Sequence, residues 1–249
     1  MPSQIETLRL IEYWDEAKLE ASPFIHPRDS DELSTKIRHT PVYNMEEYKQ
    51  AFCDGTLENN KLHLTLLPQP YVGDLLNAKV VLLMANPGLD AFSFYIEDNY
   101  PDYQKAVIET IRQERKSHIH LDPQWCWTSG FKWWEQKLRI VAKELMTRQS
   151  GVSYGEALGL LACQVACIEY VPYPSTSFAG PENLPSSLMA KRAAIEISQN
   201  SERLVVVTRK VKTWGIPSAD NVINYTAGQA RAASLKPALG DIMKFLLEK

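Results

Sequence analysis

From Val80 to Ala85 the chain is wholly apolar, rich in branched side chains, and shows no alternation. A strand with one wet face alternates, so this run reads as a strand buried on both faces, the mark of a parallel sheet. In such sheets ligand chemistry gathers beyond the carboxyl ends of the strands. Here that end is Asn86-Pro87-Gly88, where proline fixes one φ and glycine lets the backbone approach a ligand closely. The same three residues also suit a plain strand-ending turn.

Later segments repeat the pattern. Ala162 to Ile168 is a second buried run, ending in Glu169-Tyr170-Val171-Pro172-Tyr173-Pro174-Ser175. Leu204 to Val207 and Val222-Ile223 read as two short strands, the last followed by a small-residue loop from Asn224 to Ala233. Upstream, Leu62 to Leu67 reads as a strand broken by Pro68-Gln69-Pro70, and Tyr71 to Asp74 lead into the first core strand. Residues 4–20 suggest an amphipathic helix, 21–44 a long loop, Met45 to Phe52 a short helix and 101–117 a charged one. Trp134, Leu138, Val141 and Leu145 share one helical face, which favours packing over base stacking for the tryptophans at helical spacing, while Trp125 and Trp127 lie outside that face and stay open to either role. Residues 184–200 form a helix carrying Leu188 and Ile195, capped by Ser186. The last helix starts near Lys236, with Pro237 in its first turn and Leu235, Leu239, Ile242 and Leu246 as its stripe. This order predicts an α/β fold of three layers, a short central parallel sheet of about four strands flanked by helices on both faces. Residues 1–69 are expected as an extension packed on an α/β domain of residues 70–249.

Charge is unevenly spread along the chain. Residues 1–60 hold six Lys/Arg and twelve Asp/Glu, a net of −6, whereas residues 189–249 hold ten and five, a net of +5. Phosphate affinity depends on a local basic face, so the C-terminal quarter is the place for a nucleic acid. The whole-chain charge of −3 argues against strong nonspecific affinity. No apolar run approaches the roughly 20 residues of a membrane helix, and the N-terminus has no signal-peptide core. A soluble, cytoplasmic protein is expected, with no membrane partner. Cys53, Cys126, Cys163 and Cys167 form no CxxC pair and are expected as buried reduced thiols. The histidines lack paired metal spacing, no metal is expected, and His118-Ile119-His120 reads as a surface loop.

The ordered strand-end motifs resemble the uracil-DNA glycosylase superfamily, above all its branch acting on mismatched uracil and thymine. That branch has an Asn-Pro-Gly turn after its first core strand, matched by Asn86-Pro87-Gly88, and a loop ending in Ala-Arg before its last helix, matched by Ala230-Arg231. The resemblance spans about residues 70–249. It implies an enzyme that flips a nucleotide out of the duplex and hydrolyses its N-glycosidic bond. No cofactor is implied, and a monomer is expected.

The resemblance implies roles at each strand end. Asn86 replaces the aspartate of the fastest relatives, so it positions water without taking a proton, and slow hydrolysis follows. No lysine occupies the motifs, so a Schiff-base lyase is unsupported. The superfamily's usual histidine has no match near Thr226-Ala227-Gly228. Glu169 stands where uracil-cutting relatives carry an asparagine. A carboxylate accepts from the N4 amino group of cytosine and, when protonated by apolar burial, donates to N3. The alternative is an ion pair of Glu169 with Arg209 or Arg192. Among Phe92, Phe94 and Tyr95 one is expected to stack on the base, with Tyr170 and Tyr173 as further pocket candidates. Ser175, with Thr176 and Ser177, suits phosphate through hydroxyls and backbone amides or equally a plain loop, while Gly228, Gln229 and Arg231 fall where relatives drive a wedge into the duplex. The leading expectation is a monofunctional DNA glycosylase acting on a modified cytosine more than on uracil, in repair or antiphage defence. A noncatalytic DNA- or nucleotide-binding module and a nucleoside or nucleotide hydrolase are the alternatives.

Overall fold

The computed structural model describes residues 4–34, 42–57, 61–177, 181, 183–232 and 234–247. Its centre is a five-stranded sheet of β1 (Tyr71–Val72), β2 (Val80–Leu83), β3 (Val165–Ile168), β4 (Leu204–Val207) and β5 (Val222–Asn224), in the order β1-β3-β2-β4-β5. β2 to β5 run parallel, with Leu83 opposite both Ile168 and Val207. The four parallel strands are those expected from the apolar runs. The fifth, β1, is an antiparallel edge pairing Tyr71 with Ile168, too short for the pattern to show.

Helices cover the sheet in two groups. In chain order they are α1 (Ile5–Asp15), α2 (Ser30–Ser34), α3 (Met45–Cys53), α4 (Ala91–Asn99), α5 (Pro101–Ile111) and α6 (Ser129–Arg148). There follow α7 (Tyr154–Gln164), α8 (Pro185–Ser198), α9 (Val211–Trp214), α10 (Ala227–Ala232) and α11 (Leu239–Leu247). α6 packs on α7 and α11, while α1 packs on α8 and α5. β2, β3 and β4 are buried at every position, which a strand between two helical layers requires. Trp134, Leu138, Val141 and Leu145 of α6 form its buried stripe.

The N-terminal residues share this core. Leu10, Tyr13 and Trp14 are buried in one cluster with the strand residues. Glu196 of α8 accepts from the backbone N–H groups of Glu6 and Thr7 at 3.0 and 2.9 Å, satisfying orphan donors at the start of α1.

Several local expectations are corrected. Leu62 to Leu67 is buried but is no strand, because its hydrogen bonds go to separate segments: Leu64 O accepts from Phe24 N, His63 N donates to Pro174 O, and Leu66 N turns back to His63 O. Burial alone made the run look like a strand. Residues 21–44 are not all loop, since they include a 3₁₀ turn at Pro27–Asp29 and α2, with 35–41 outside the described residues. Ser186 does not cap α8. Pro185 takes the first turn, and the Ser186 backbone N–H donates to Asp29. Leu188 is exposed rather than on the buried face. His118 and His120 are buried, not a surface loop. Of the cysteines only Cys167 is buried; Cys53, Cys126 and Cys163 are exposed, and all four are free thiols.

Candidate active site

The carboxyl ends of β2, β3 and β4 open into one cavity of about 620 Å³. Asn86, Pro87 and Gly88 enter it from β2, Glu169 from β3 and Arg209 from β4. In-register pairing aligns these ends, and the ladder continues beyond the strands through Met84 N to Ile168 O and Val171 N to Ala85 O, both 2.9 Å. The opposite wall is the N-terminus of α6, with Ser129, Gly130, Trp133 and Trp134, and Phe92 of α4 joins it. Asp90 ties the two helix starts together by accepting from Phe92 N at 3.0 Å and from Ser129 Oγ at 2.9 Å.

Asn86 has a defined orientation. Its Nδ2 donates to Pro87 O and to Ser175 Oγ, both at 2.8 Å, with Ser175 O at 3.4 Å. Two of these partners are carbonyl oxygens that only accept, so the amide nitrogen must face them. Oδ1 is thereby turned away as an acceptor at the cavity wall. Ser175 in turn donates to Ser177 O at 2.6 Å. Its hydroxyl proton is committed inside the protein, which corrects the expectation that it serves a phosphate. Gly88 has no positive φ, and a Cβ there meets nothing within 4 Å. Glycine is therefore not required by the turn, and it keeps the wall beside Asn86 open.

Glu169 is 9% exposed. Its Oε1 lies 3.8 Å from Cys167 Sγ, and its Oε2 has no hydrogen-bond partner among the described residues. Burial pushes its carboxyl up to about 8, against the opposing pull of the Cys167 thiol, Lys137 and Arg209. The group is thus a neutral acid at pH 7, and Arg209 acts on it at longer range than an ion pair. Lys137 of α6 is also buried, and burial pushes its ammonium down to about 8.

Of the aromatic candidates, Phe92 lines the cavity and is 41% exposed. Phe94, Tyr95, Tyr170 and Tyr173 do not line it. Phe94 packs on Tyr48 at 4.8 Å in a separate cluster, because α4 turns it away from Phe92. Tyr95 is on the surface, its ring 6.1 Å from that of Tyr100. Tyr170 stands edge-on to Trp214 at 5.0 Å. Tyr173 donates to buried Asp29 at 2.7 Å, in a network with Tyr13 and His26 that ties the N-terminal segment to the core. Gly228 and Gln229 lie on α10, beyond β5 on the same sheet edge but outside the cavity lining. Gln229 caps its own helix, accepting from Thr226 N at 2.8 Å. Arg231 lies on α10, and its side chain is outside the described residues.

The cavity also contains residues that sequence reasoning did not place in a site. Gln69, Tyr103 and His120 form part of its wall, and His120 Nε2 lies 2.8 Å from Gln69 Oε1. Their segments are a proline-flanked linker, a charged helix and a turn, none with a strand-end signature. Trp133, expected to pack in the core, is instead 41% exposed and lines the cavity, and Asp90 carried no strand-end signature either. Proximity of a charged or aromatic residue to a cavity is a tertiary fact, visible only after the helices pack.

Fold and site together define an α/β protein whose convergent polar groups, at the carboxyl edge of a parallel sheet, surround a ligand-sized cavity. Comparison of the chain with protein-family models, curated proteins and solved structures finds no match. Among the described residues no helix is long and apolar enough to cross a membrane.

Proposed function

We propose that the chain is a monofunctional DNA glycosylase that hydrolyses the N-glycosidic bond of a modified cytosine. The observation carrying this reading is the convergence of an oriented amide, Asn86, and a neutral buried acid, Glu169, on one cavity from adjacent strand ends. Water held by Asn86 Oδ1 attacks C1′ of the sugar as the bond to the base breaks, and the proton it loses returns through solvent to the Glu169 carboxylate left by proton donation. Glu169 donates a proton to N3 of the departing cytosine, and its other oxygen accepts from N4. Phe92 and Trp133 supply stacking surface.

Cavity size allows a substituted base together with its sugar. A six-membered ring is held by a cavity of about 150 Å³, and this one is about 620 Å³. The excess accommodates a bulky group on the ring, at a wall that offers Asp90 and Ser129 as hydrogen-bonding partners. The basic C-terminal quarter, which includes Arg209 and Lys210, supports DNA as the partner that delivers the base.

The test is incubation with oligonucleotides carrying a panel of substituted cytosines and uracils, followed by alkaline cleavage at abasic sites. Strand breaks at substituted cytosine are expected. Release only from free nucleosides would instead establish a nucleoside hydrolase, and binding without release a noncatalytic module.

A further inference from the structure

Among the side chains lining the cavity, the acids are Asp90 and Glu169, and Arg209 is the one strong base. Asp90 commits its carboxylate within the far wall, to Phe92 N at 3.0 Å and Ser129 Oγ at 2.9 Å. Glu169 is neutral at pH 7, because burial raises its carboxyl to about 8. Arg209 differs from both. Its side chain is exposed, and its guanidinium makes no hydrogen bond or ion pair with another described residue. An arginine is always protonated in a protein, so the cavity has one uncompensated cation.

The backbone fixes where that cation stands. Thr208, just before it, donates through both its N–H and its hydroxyl to Leu83 O, each at 3.0 Å. Lys210, just after it, is left-handed at φ +54° and ψ +38°, a turn that a side chain disfavours, and it sends the chain into α9. Trp214 at the end of α9 is fully buried and donates from Nε1 to Met84 O at 2.9 Å. Both flanks of Arg209 are therefore tied to β2, the strand that leads to Asn86. Counting on from the pair Leu83 and Val207 sets Arg209 beside Ala85, one residue short of Asn86.

We propose that Arg209 binds a phosphate of the extruded nucleotide, so that the site prefers a base held in a phosphorylated strand over the same base in a free nucleoside. The proposal rests on the reading of this cavity as a base pocket fed by DNA. A cytosine ring brings no anion for a cation to meet. Attack at C1′ puts the sugar at Asn86, and the anions within one sugar's width of that atom are the flanking phosphates. A guanidinium offers parallel N–H donors that match two phosphate oxygens. The Ser175 hydroxyl, whose proton goes to Ser177 O, cannot take this role. Arg209 also belongs to the C-terminal quarter of net charge +5, and β5 and α10 of the same quarter follow β4 along this edge of the sheet.

The experiment measures equilibrium binding of the full-length protein to single-stranded oligonucleotides containing one 5-methylcytosine. The phosphate on its 5′ side, that on its 3′ side, or a distant one is replaced by a neutral methylphosphonate. One of the two adjacent replacements should weaken wild-type binding about tenfold, the scale of one charge-assisted contact, and the distant one should cost no more than about twofold. Arg209→Gln should weaken the unmodified strand about tenfold, show a shallower salt dependence by about one phosphate contact, and lose almost all sensitivity to the adjacent replacement. Arg209→Lys, which keeps the charge without the fork, should fall between. Should Arg209→Gln fail to fold, the wild-type contrast between adjacent and distant replacements still decides. Equal effects of adjacent and distant replacements, or an equal adjacent effect in wild type and Arg209→Gln, would overturn the contact while leaving the glycosylase reading in place. The expected coupling in a protein that releases no modified base from DNA would keep the contact and refute the glycosylase. Absence of binding to any strand would overturn both.

Discussion

Asn86 Nδ2 sits 2.8 Å from Ser175 Oγ, a hydrogen bond that joins the turn after β2 to the segment following β3. The serine passes its own proton to Ser177 O, so the chain Asn86–Ser175–Ser177 has one direction and holds the amide against rotation. Orientation of this kind makes an amide useful to a water molecule, because only one edge of it faces the cavity.

Removing the amide should therefore remove the rate but not the binding. Asn86→Ala is expected to lower base release by about 10²-fold or more, the scale of positioning and acid–base effects, with DNA affinity within a few-fold of wild type. Ser175→Ala removes one of the amide's anchors and leaves it on the Pro87 and Ser175 carbonyls, so it should cost a smaller part, about tenfold or less. Single-turnover release beside equilibrium DNA binding separates the two effects. Full activity in Asn86→Ala would sink the mechanism.

An aspartate in place of Asn86 should not raise the rate. At position 86 a carboxylate would face Pro87 O and Ser175 O, which today accept from the amide. Two acceptors cannot satisfy one another, and an unmet buried polar group costs about 1–3 kcal/mol. Asn86→Asp should melt lower than wild type and release base no faster, as thermal unfolding and the same release assay would record.

The legible part of this molecule was the part governed by local pattern. The four non-alternating runs fixed the parallel sheet, and Asn86 and Glu169 were found because they end two of those runs. β1 escaped because two residues carry no period, and Leu62 to Leu67 misled because burial without a ladder looks like a strand. Phe92 could not be told from Phe94 until α4 placed one on the cavity and the other under Tyr48. Gln69 and His120 lie 51 residues apart and meet only through tertiary packing. No local signal marked either.

Two glycines near the sheet should respond oppositely to alanine. Gly73 has φ +84°, and a Cβ there would lie 2.5 Å from the Val165 carbonyl oxygen. Left-handed backbone costs a non-glycine residue about 1–2 kcal/mol, and the clash adds to it, so Gly73→Ala should lose about 2 kcal/mol or more. Gly88→Ala meets open space and should stay within about 0.5 kcal/mol of wild type, while its methyl group intrudes on the cavity and slows release. Denaturant unfolding decides the first contrast, and an equal loss at both positions would contradict it.

Glu169 predicts the pH dependence. Burial raises its carboxyl from the ordinary range to about 8, so the folded protein holds this proton more tightly than the unfolded chain. The stability it contributes is fully present below the unfolded value near 4.5 and is lost as pH rises through about 8. Glu97, buried beside Leu67 N and also raised to about 8 by burial, adds a loss of the same sign. Glu169→Gln keeps the shape and removes the titration, so stability should decline less steeply between pH 5 and about 9 than in wild type, the remaining slope being set by Glu97, the buried histidines and Lys137 together. Base release should tell the same story from the other side. Wild-type release should fall above about pH 8 as the acid loses the proton it gives to N3. The Glu169→Gln variant should be slow at every pH and lack that alkaline limb. A wild-type rate that climbs through pH 8 would show that Glu169 acts as a carboxylate and not as an acid.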